Sequence, residues 1–365
     1  VHPRLADAWT MAQTAGMRRL LLSAVLSVAA TLAARDTLDL YWIDSEGGGS
    51  TLLVTPAGES VLIDTGNPGG RDAERIHWVV TEVAGLKRLD HVVVTHFHID
   101  HFGGLAELAQ MLPVGTLYDK GITDEVPDKG GNAARWALTS RPYRNASVER
   151  RVVLQPGDTV PLRTVGAGVP LFLRCLAGNQ KFVEPAPGDP AGPTEPAVAE
   201  KAPDLSDNGN SMVFLLGFGD FRFFDGGDLT WNVEAKLVSP INRVGLVDLY
   251  QVNHHGLDSS NHPWLLRALD PVVAVMNNGP RKGASASAFA SLRGAPSLQA
   301  IYQMHECVRE GAENTEDRTR IANAGDHGEA CAAHYIHCTV AADGRSYTLQ
   351  VPSTRHRQTY ATRSR

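Results

Sequence analysis

The sequence predicts an α/β chain made of two halves with similar content. Three observations carry this. Strand-like and helix-like patterns follow one another as β-rich, βαβ, β-hairpin, then βαβα and β. Strand candidates such as Leu89 to Thr95 are apolar runs that end in loops rich in His, Asp, Asn or Gly. No repeat of solenoid type replaces this order. Two such halves imply two facing sheets with helices outside, and strand-end loops that meet along one edge.

Thr37 to Asp44 alternates in the manner of a strand, and Glu46-Gly47-Gly48-Gly49 turns the chain. Ser50 to Thr55 and Ser60 to Asp64 are strands joined at Pro56-Ala57-Gly58. Ile76, Val79, Val80 and Val83 give residues 71–84 a helical period. Leu89 to Thr95 is a strand, Leu105 to Leu112 a helix and Val114 to Tyr118 a strand. Val152 to Leu154 and Val169 to Leu176 follow as strands. Residues 178–204, with six prolines, read as a mobile surface insertion. Ser211 to Gly217 and Phe221 to Phe224 form a hairpin around Gly219-Asp220. Beyond it come helix Trp231 to Val238, strand Leu246 to Val252, helix Pro263 to Leu269, strand Val272 to Met276 and helix Ser285 to Arg293. Leu298 to Met304, Tyr335 to Val340 and Tyr347 to Val351 close the series as strands, and residues 356–365 read as a tail.

The 365 residues are 43% hydrophobic and 20% charged, enough to bury a substantial core. A net charge of -6 gives no general nucleic-acid footprint, so no stable nucleic-acid complex is expected. Arg18 and Arg19 precede the apolar stretch Leu20 to Leu32 and then small residues, which is the layout of a secretory signal peptide. An N-terminal anchor helix is the alternative, but the run is short for a membrane span. On this reading Met17 is the natural start, residues 1–34 are an upstream extension plus signal, and the domain of residues 35–355 is exported to the periplasm or the medium. No later segment is long and apolar enough to span a membrane. In an oxidising compartment Cys175, Cys307, Cys331 and Cys338 allow two disulfides, with Cys307–Cys331 preferred.

The densest chemistry lies in Thr95-His96-Phe97-His98-Ile99-Asp100-His101, closed by Gly103-Gly104. His96 and His98, one residue apart in an extended or turn segment, can point the same way and bind one ion. Asp100 and His101, past a bend, can reach a second. Imidazole and carboxylate suit zinc, with manganese or iron as alternatives.

This run resembles the H-x-H-x-D-H signature of the metallo-β-lactamase superfamily. Asp64-Thr65-Gly66, Gly227-Asp228 and His254-His255-Gly256 are similar to that superfamily's later motifs, in the same order. The resemblance spans roughly Leu38 to Met304. It implies a four-layered αββα sandwich with a dinuclear site at one edge, Asp64 orienting the metal loop and Asp228 bridging two divalent ions. It departs from lactamases, glyoxalase-type thioesterases and RNase Z-like nucleases in one respect: no histidine lies between His101 and His254. Asp207-Asn208-Gly209-Asn210-Ser211 stands there instead, which resembles the branch containing the competence protein ComEC and the phosphorylcholine esterases. That resemblance implies a first ion on His96, His98 and Asp228, and a second on Asp100, His101, Asp228 and one of His254 or His255. Strand alternation turns adjacent side chains to opposite sides. The resemblance selects His255 as the ligand and leaves His254 to contact substrate or protonate a leaving oxygen. Asn208, Asn210 and Ser211 are candidate substrate contacts, and Arg281 and Lys282, in Asn277-Asn278-Gly279-Pro280-Arg281-Lys282-Gly283, are candidates for an anionic group.

The chemistry implied is attack by a bridging hydroxide, with Asp100 as ligand and orienter. The leading expectation is hydrolysis of a small-molecule or nucleic-acid phosphoester. A lactam, lactone or thioester hydrolase is the alternative, and a non-catalytic metal or ligand binder of the envelope the third reading.

Overall fold

A computed structural model describes residues 36–164, 168–325 and 328–364. The expected upstream extension and signal peptide lie outside the described residues. In chain order the strands are β1 Leu38–Trp42, β2 Thr51–Val54, β3 Ser60–Ile63, β4 Leu89–Val93, β5 Val114–Asp119, β6 Arg150–Val153, β7 Thr159–Val160, β8 Leu171–Gly178 and β9 Lys181–Phe182. They continue as β10 Val213–Phe218, β11 Phe221–Asp225, β12 Leu249–Gln251, β13 Val273–Met276, β14 Ala300–His305, β15 Ile321–Asn323, β16 Ile336–Val340, β17 Ser346–Val351 and β18 His356–Ala361. The helices are α1 Arg71–Trp78, α2 Ile99–Phe102, α3 Leu105–Met111, α4 Ala133–Asn145, α5 Trp231–Val238, α6 Pro263–Leu269 and α7 Ala286–Arg293.

One sheet has the order β18-β17-β16-β1-β2-β3-β4-β5-β6. The other runs β15-β14-β13-β12-β11-β10-β8-β7, with β9 on β8. Strand alternation sorts the side chains into layers. Leu38, Leu40 and Trp42 of β1 meet Phe214 and Leu216 of β10 and Phe223 of β11 in a core between the sheets. Tyr41 and Leu62 face the other way, with Ile76 of α1, Leu105 of α3 and Trp136 of α4. Phe224 and Tyr250 pack with Leu237 of α5, Leu266 of α6 and Phe289 of α7. The outcome is the expected αββα sandwich.

The site is positioned by the parallel part of each sheet. β3 to β6 are parallel, and so are β11 to β15. Asp64 follows β3, the histidine run follows β4, Asp228 follows β11, His254-His255 follows β12, and Lys282 lies in the loop after β13. Ligands bind at such carboxyl ends of parallel strands.

Four expectations are corrected. The 356–365 tail contains β18, which pairs antiparallel with β17 from Ser346↔Ala361 to Val351↔His356. Its polar sequence hides a strand that buries only Tyr360. Helix α4 was not expected. It buries Trp136, Ser140 and Tyr143, a sparse stripe interrupted by Pro142, and Asn132 Oδ1 caps it by accepting from Arg135 N. The proline-rich insertion is tied down: Pro196 O accepts from Trp264 Nε1 at 3.0 Å, Ala199 O from Trp231 Nε1 at 3.1 Å, and Pro240 O from Gly192 N at 2.8 Å. All four cysteines are free thiols. Cys307 Sγ faces Gly283 O, whereas Cys331 Sγ faces Asp44 and Asn323, so the expected pair has no common space. Among the described residues no helix is long and apolar enough to cross a membrane.

The β18 strand is open to a direct check. The Tyr360 ring stacks on Tyr347, and its hydroxyl meets that of Tyr302 at 2.9 Å. Tyr360→Ala is expected to cost about 3 kcal/mol in urea unfolding. The alternate amides of β18 that face β17 should exchange slowly in the wild type, where a free tail would exchange at once.

Candidate metal centre

The loop between β4 and α3 is held from three sides. Asp64, left-handed at φ 62° where β3 ends, accepts from Thr95 N and Thr95 Oγ1, both at 2.8 Å. Its Oδ2 also lies 2.7 Å from His101 Nδ1. Asp207 Oδ2, from the second half of the chain, accepts from Phe97 N at 2.7 Å, and its Oδ1 pairs with Lys120 Nζ at 2.7 Å. Met212 N donates to Thr95 O at 2.9 Å. Close approach needs glycine here: a Cβ on Gly49 would lie 2.7 Å from His101 Nδ1 and 2.8 Å from Asp64 Oδ2.

These restraints aim donors at Asp228. His101 Nε2 lies 3.2 Å from Asp228 Oδ2, 3.3 Å from His255 Nε2 and 3.7 Å from Asp100 Oδ2. His255 Nε2 is 3.3 Å from Asp228 Oδ2 and 3.6 Å from Asp100 Oδ2, and His255 Nδ1 rests on Asn277 O at 2.9 Å. His96 Nε2 points at Asp228 Oδ2 from 3.8 Å, is buried, and has no hydrogen-bond partner. Asp100, His101 and His255 form one set that could hold an ion, and His96, His101 and Asp228 another.

His98 stands beside His96, with ring centroids 4.8 Å apart, but is in neither set. Its Nε2 contacts Asp128 Oδ1 at 2.9 Å, which leaves Nδ1 as its unengaged nitrogen. Burial works against the charged His98 ring, and the Asp128 carboxylate more than offsets it.

The treatment of His254 and His255 as strand neighbours is also corrected. The strand ends at Gln251, and both residues are left-handed, at φ 51° and 56°. Alternation no longer applies, and both imidazoles reach Asp228 Oδ2, His254 from 3.6 Å. Ser259 Oγ meets His254 Nδ1 at 2.9 Å, and Asn208 Nδ2 meets its Nε2 at 3.3 Å. Burial pushes the His254 pKa down to about 4, which favours the neutral ring, and its Nε2 faces the Asn208 amide donor.

The expected substrate residues divide. Lys282 Nζ bonds Asp100 Oδ2, and Gly47 O accepts from the same ammonium at 2.7 Å. Asn208 borders His254, and its Oδ1 is buried without a partner. Ser211 Oγ accepts from Asp228 N at 3.3 Å and so sets the backbone of that carboxylate. Asn210 turns to Asp207 and Gln180, and Arg281 is exposed. Sequence reasoning missed Asp128, Lys120 and Asp207, which act through long-range contacts. Asp207 had one visible signal, as the residue that opens the Asp-Asn-Gly-Asn stretch.

The electrostatics favour a cation. Burial alone would hold the His101 ring neutral, but Asp228, Asp64 and Asp100 around it lift its pKa well above the usual range. Burial of Asp228 is outweighed by His101, His255 and His254, which keep it ionised. Beside the cluster lies a cavity of about 400 Å³, lined by Phe97, Ile99, Trp136, Asn132 and Arg135 and bordered by His98 and Asp100. That is within the range of small-molecule pockets.

Residues 44–192 match the model of the Metallo-beta-lactamase superfamily, and the chain carries a domain of that superfamily. Most members are dinuclear metallohydrolases, and some are not hydrolytic. Among its relatives, the thioesterase pkgB of Emericella nidulans is 32% identical over 117 residues, which are 31% of this chain and 30% of pkgB. Recombination protein 2 of Haemophilus influenzae is 24% identical over 247 residues, 67% of this chain and 24% of that protein. The chain thus aligns with only 24% to 30% of the length of these relatives. Among solved structures, the metallo-β-lactamase fold protein YhfI of Bacillus subtilis is similar at 11% identity and a TM-score of 0.42, over 72% of this chain and 95% of that one.

The His254-His255 loop hangs on one carboxylate. Glu234 Oε1 accepts from Asn253 Nδ2 at 2.6 Å and Asn261 N at 2.9 Å, and Oε2 accepts from His262 N at 2.7 Å. Burial pushes the Glu234 pKa up to about 7 from its ordinary 4.5, against the pull of those donors. Its folded value lies above its unfolded one, so protonation favours the fold. That contribution is whole below about pH 4 and is lost as pH rises through about 7. Glu234→Gln is expected to flatten the fall in urea midpoint between about pH 5 and 8, as measured by equilibrium unfolding of both proteins.

Proposed function

We propose that the chain is a metal-dependent hydrolase with a dinuclear site, acting on a phosphoester and most favourably a phosphodiester. One observation carries this reading. Five imidazoles each have one ring nitrogen engaged by an outer group: His96 by Thr95, His98 by Asp128, His101 by Asp64, His254 by Ser259 and His255 by Asn277 O. In four of them the other nitrogen points at Asp228. Metal-ligating histidines are fixed in this manner, through a hydrogen bond on the far nitrogen.

The donor spacing supports the fit. Ligand bonds of about 2.0–2.2 Å place the donors of one tetrahedral ion about 3.3–3.6 Å apart. Five of the six pairings among Asp100, His101, Asp228 and His255 run from 3.2 to 3.7 Å. These four would hold one ion. His96, His98 through Nδ1, and the shared Asp228 would hold the other, with fewer donors. Zinc suits the set, and manganese or iron would also fit. Bound divalent ions supply a water of lowered pKa and neutralise charge on a phosphoryl group.

The protein's own residues do the rest. Asp100 would help hold an ion and orient the water on it, and Lys282, paired with Asp100, would offer an ammonium to an anionic substrate. Neutral His254, braced at Nδ1 by Ser259, accepts from Asn208 Nδ2 beside the Asp228 carboxylate. Phe97 and Trp136 give the neighbouring cavity aromatic walls, and Arg135 gives it a cation. Phosphoester chemistry is favoured by the ComEC-like stretch Asp207 to Ser211 in place of a histidine. The longer match, to a recombination protein, also favours it, since recombination is chemistry on a phosphodiester backbone. The Arg18-Arg19 and Leu20–Leu32 segment supports export. The pkgB match favours a second reading, a thioester or related carboxylic substrate, because the same ligands serve attack on a carbonyl.

The metal-loaded protein is expected to hydrolyse bis(p-nitrophenyl) phosphate or single-stranded DNA, with activity lost on chelation and restored by metal. Turnover of a thioester or nitrocefin with none of any phosphoester would move the reading to carboxylic substrates. Asp64→Asn should weaken metal affinity about 10- to 100-fold in chelator competition while the fold stays intact. An Asp228→Ala protein with unchanged metal content and activity would overturn the assignment.

A further inference from the structure

We propose that Asp44, His305 and Cys331 form a separate single-ion site for a zinc-like divalent cation. They come from three segments, after β1, at the end of β14 and in the loop beyond β15, and share no side chain with the cluster around Asp228. Their donor atoms all lie within 4.8 Å of one another. Cys331 Sγ is 3.4 Å from Asp44 Oδ2, close to the spacing of a sulfur and an oxygen on one tetrahedral zinc, about 3.5 Å from Zn–S and Zn–O bond lengths. His305 Nε2 and Asp44 Oδ1 are 2.7 Å apart and need to part by about 0.6 Å to reach the corresponding spacing. Asn323 Oδ1, 3.7 Å from the same sulfur, is the next oxygen within reach.

Charge balance points the same way. Arg75 contacts Asp44 Oδ2 at 3.1 Å but shares its charge with Glu46 at 2.9 Å, and Arg71 binds Glu46 and Asp72. Two guanidinium groups thus face three carboxylates. One negative charge is left over, and a divalent ion with an ionised thiol cancels it. Binding releases the thiol proton to solvent, and His305 binds as the neutral ring with its proton on Nδ1. Asp44 and His305 are buried, while half-buried Cys331 gives the ion a route in.

Sulfur makes the site distinguishable, because the Asp228 cluster contains no cysteine. The full chain loaded with cobalt(II) is expected to show a thiolate-to-cobalt charge-transfer band in the near ultraviolet. Cys331→Ser should remove the band and one equivalent of bound metal, and leave the remaining metal and any phosphoesterase activity unchanged. In the wild type, zinc should slow alkylation of Cys331, read by mass spectrometry, whether or not the variant folds. Absence of the band, its survival in Cys331→Ser, or alkylation at the same rate with and without zinc would overturn the site. None of these results depends on the substrate or on the ligands at Asp228.

Discussion

The carboxylate of Asp64 is the contact on which the rest of the centre depends. Its two oxygens take the Thr95 amide, the Thr95 hydroxyl and the His101 ring. A single side chain at the end of β3 thereby fixes both ends of the loop that follows β4. The arrangement requires a left-handed backbone at Asp64 and a bare Cα at Gly49, so the sequence on both sides serves the same contact. With His101 held at Nδ1, its Nε2 can face only the space shared with Asp100, Asp228 and His255.

The second half of the chain brings the complementary restraints. Asp207 reaches back to the Phe97 amide and pairs with Lys120, and Glu234 gathers Asn253, Asn261 and His262 beneath the His254-His255 turn. Buried carboxylates cost free energy unless their hydrogen bonds are satisfied. Here each one is used to hold a loop that carries donors. The result is asymmetric. His101 and His255 lie 3.2 and 3.3 Å from Asp228 and also reach Asp100, whereas His96 approaches Asp228 from 3.8 Å and His98 is tied to Asp128.

Much of this was legible in the residues. The layered fold followed from strand and helix periods, and helices α5 and α6 were read to the residue, since each has a clear apolar stripe. The His96–His101 run was visible as a dense cluster at a strand end, and Asp64 and Asp228 through the resemblance of their motifs. Local patterns failed where long-range contacts decide. Helix α4 shows three widely spaced contact residues and a proline, and β18 is almost wholly polar. Asp128 and Lys120 carry no motif, and Asp207, although it opens the Asp-Asn-Gly-Asn stretch, gains its role only once the two halves fold together. The alternation argument for His254 and His255 failed because β12 ends at Gln251 and both residues are left-handed.

The central claim is that these imidazoles and carboxylates, each braced from behind, gather around Asp228 to hold two ions. Anomalous diffraction from a crystal of the zinc-loaded protein tests it most directly. Two peaks are predicted within about 2.0–2.3 Å of Asp228 oxygens, the stronger one also contacting Asp100, His101 and His255. Density at His101 and His255 with no peak bonded to Asp228, or no peak within the cluster at all, would contradict the account.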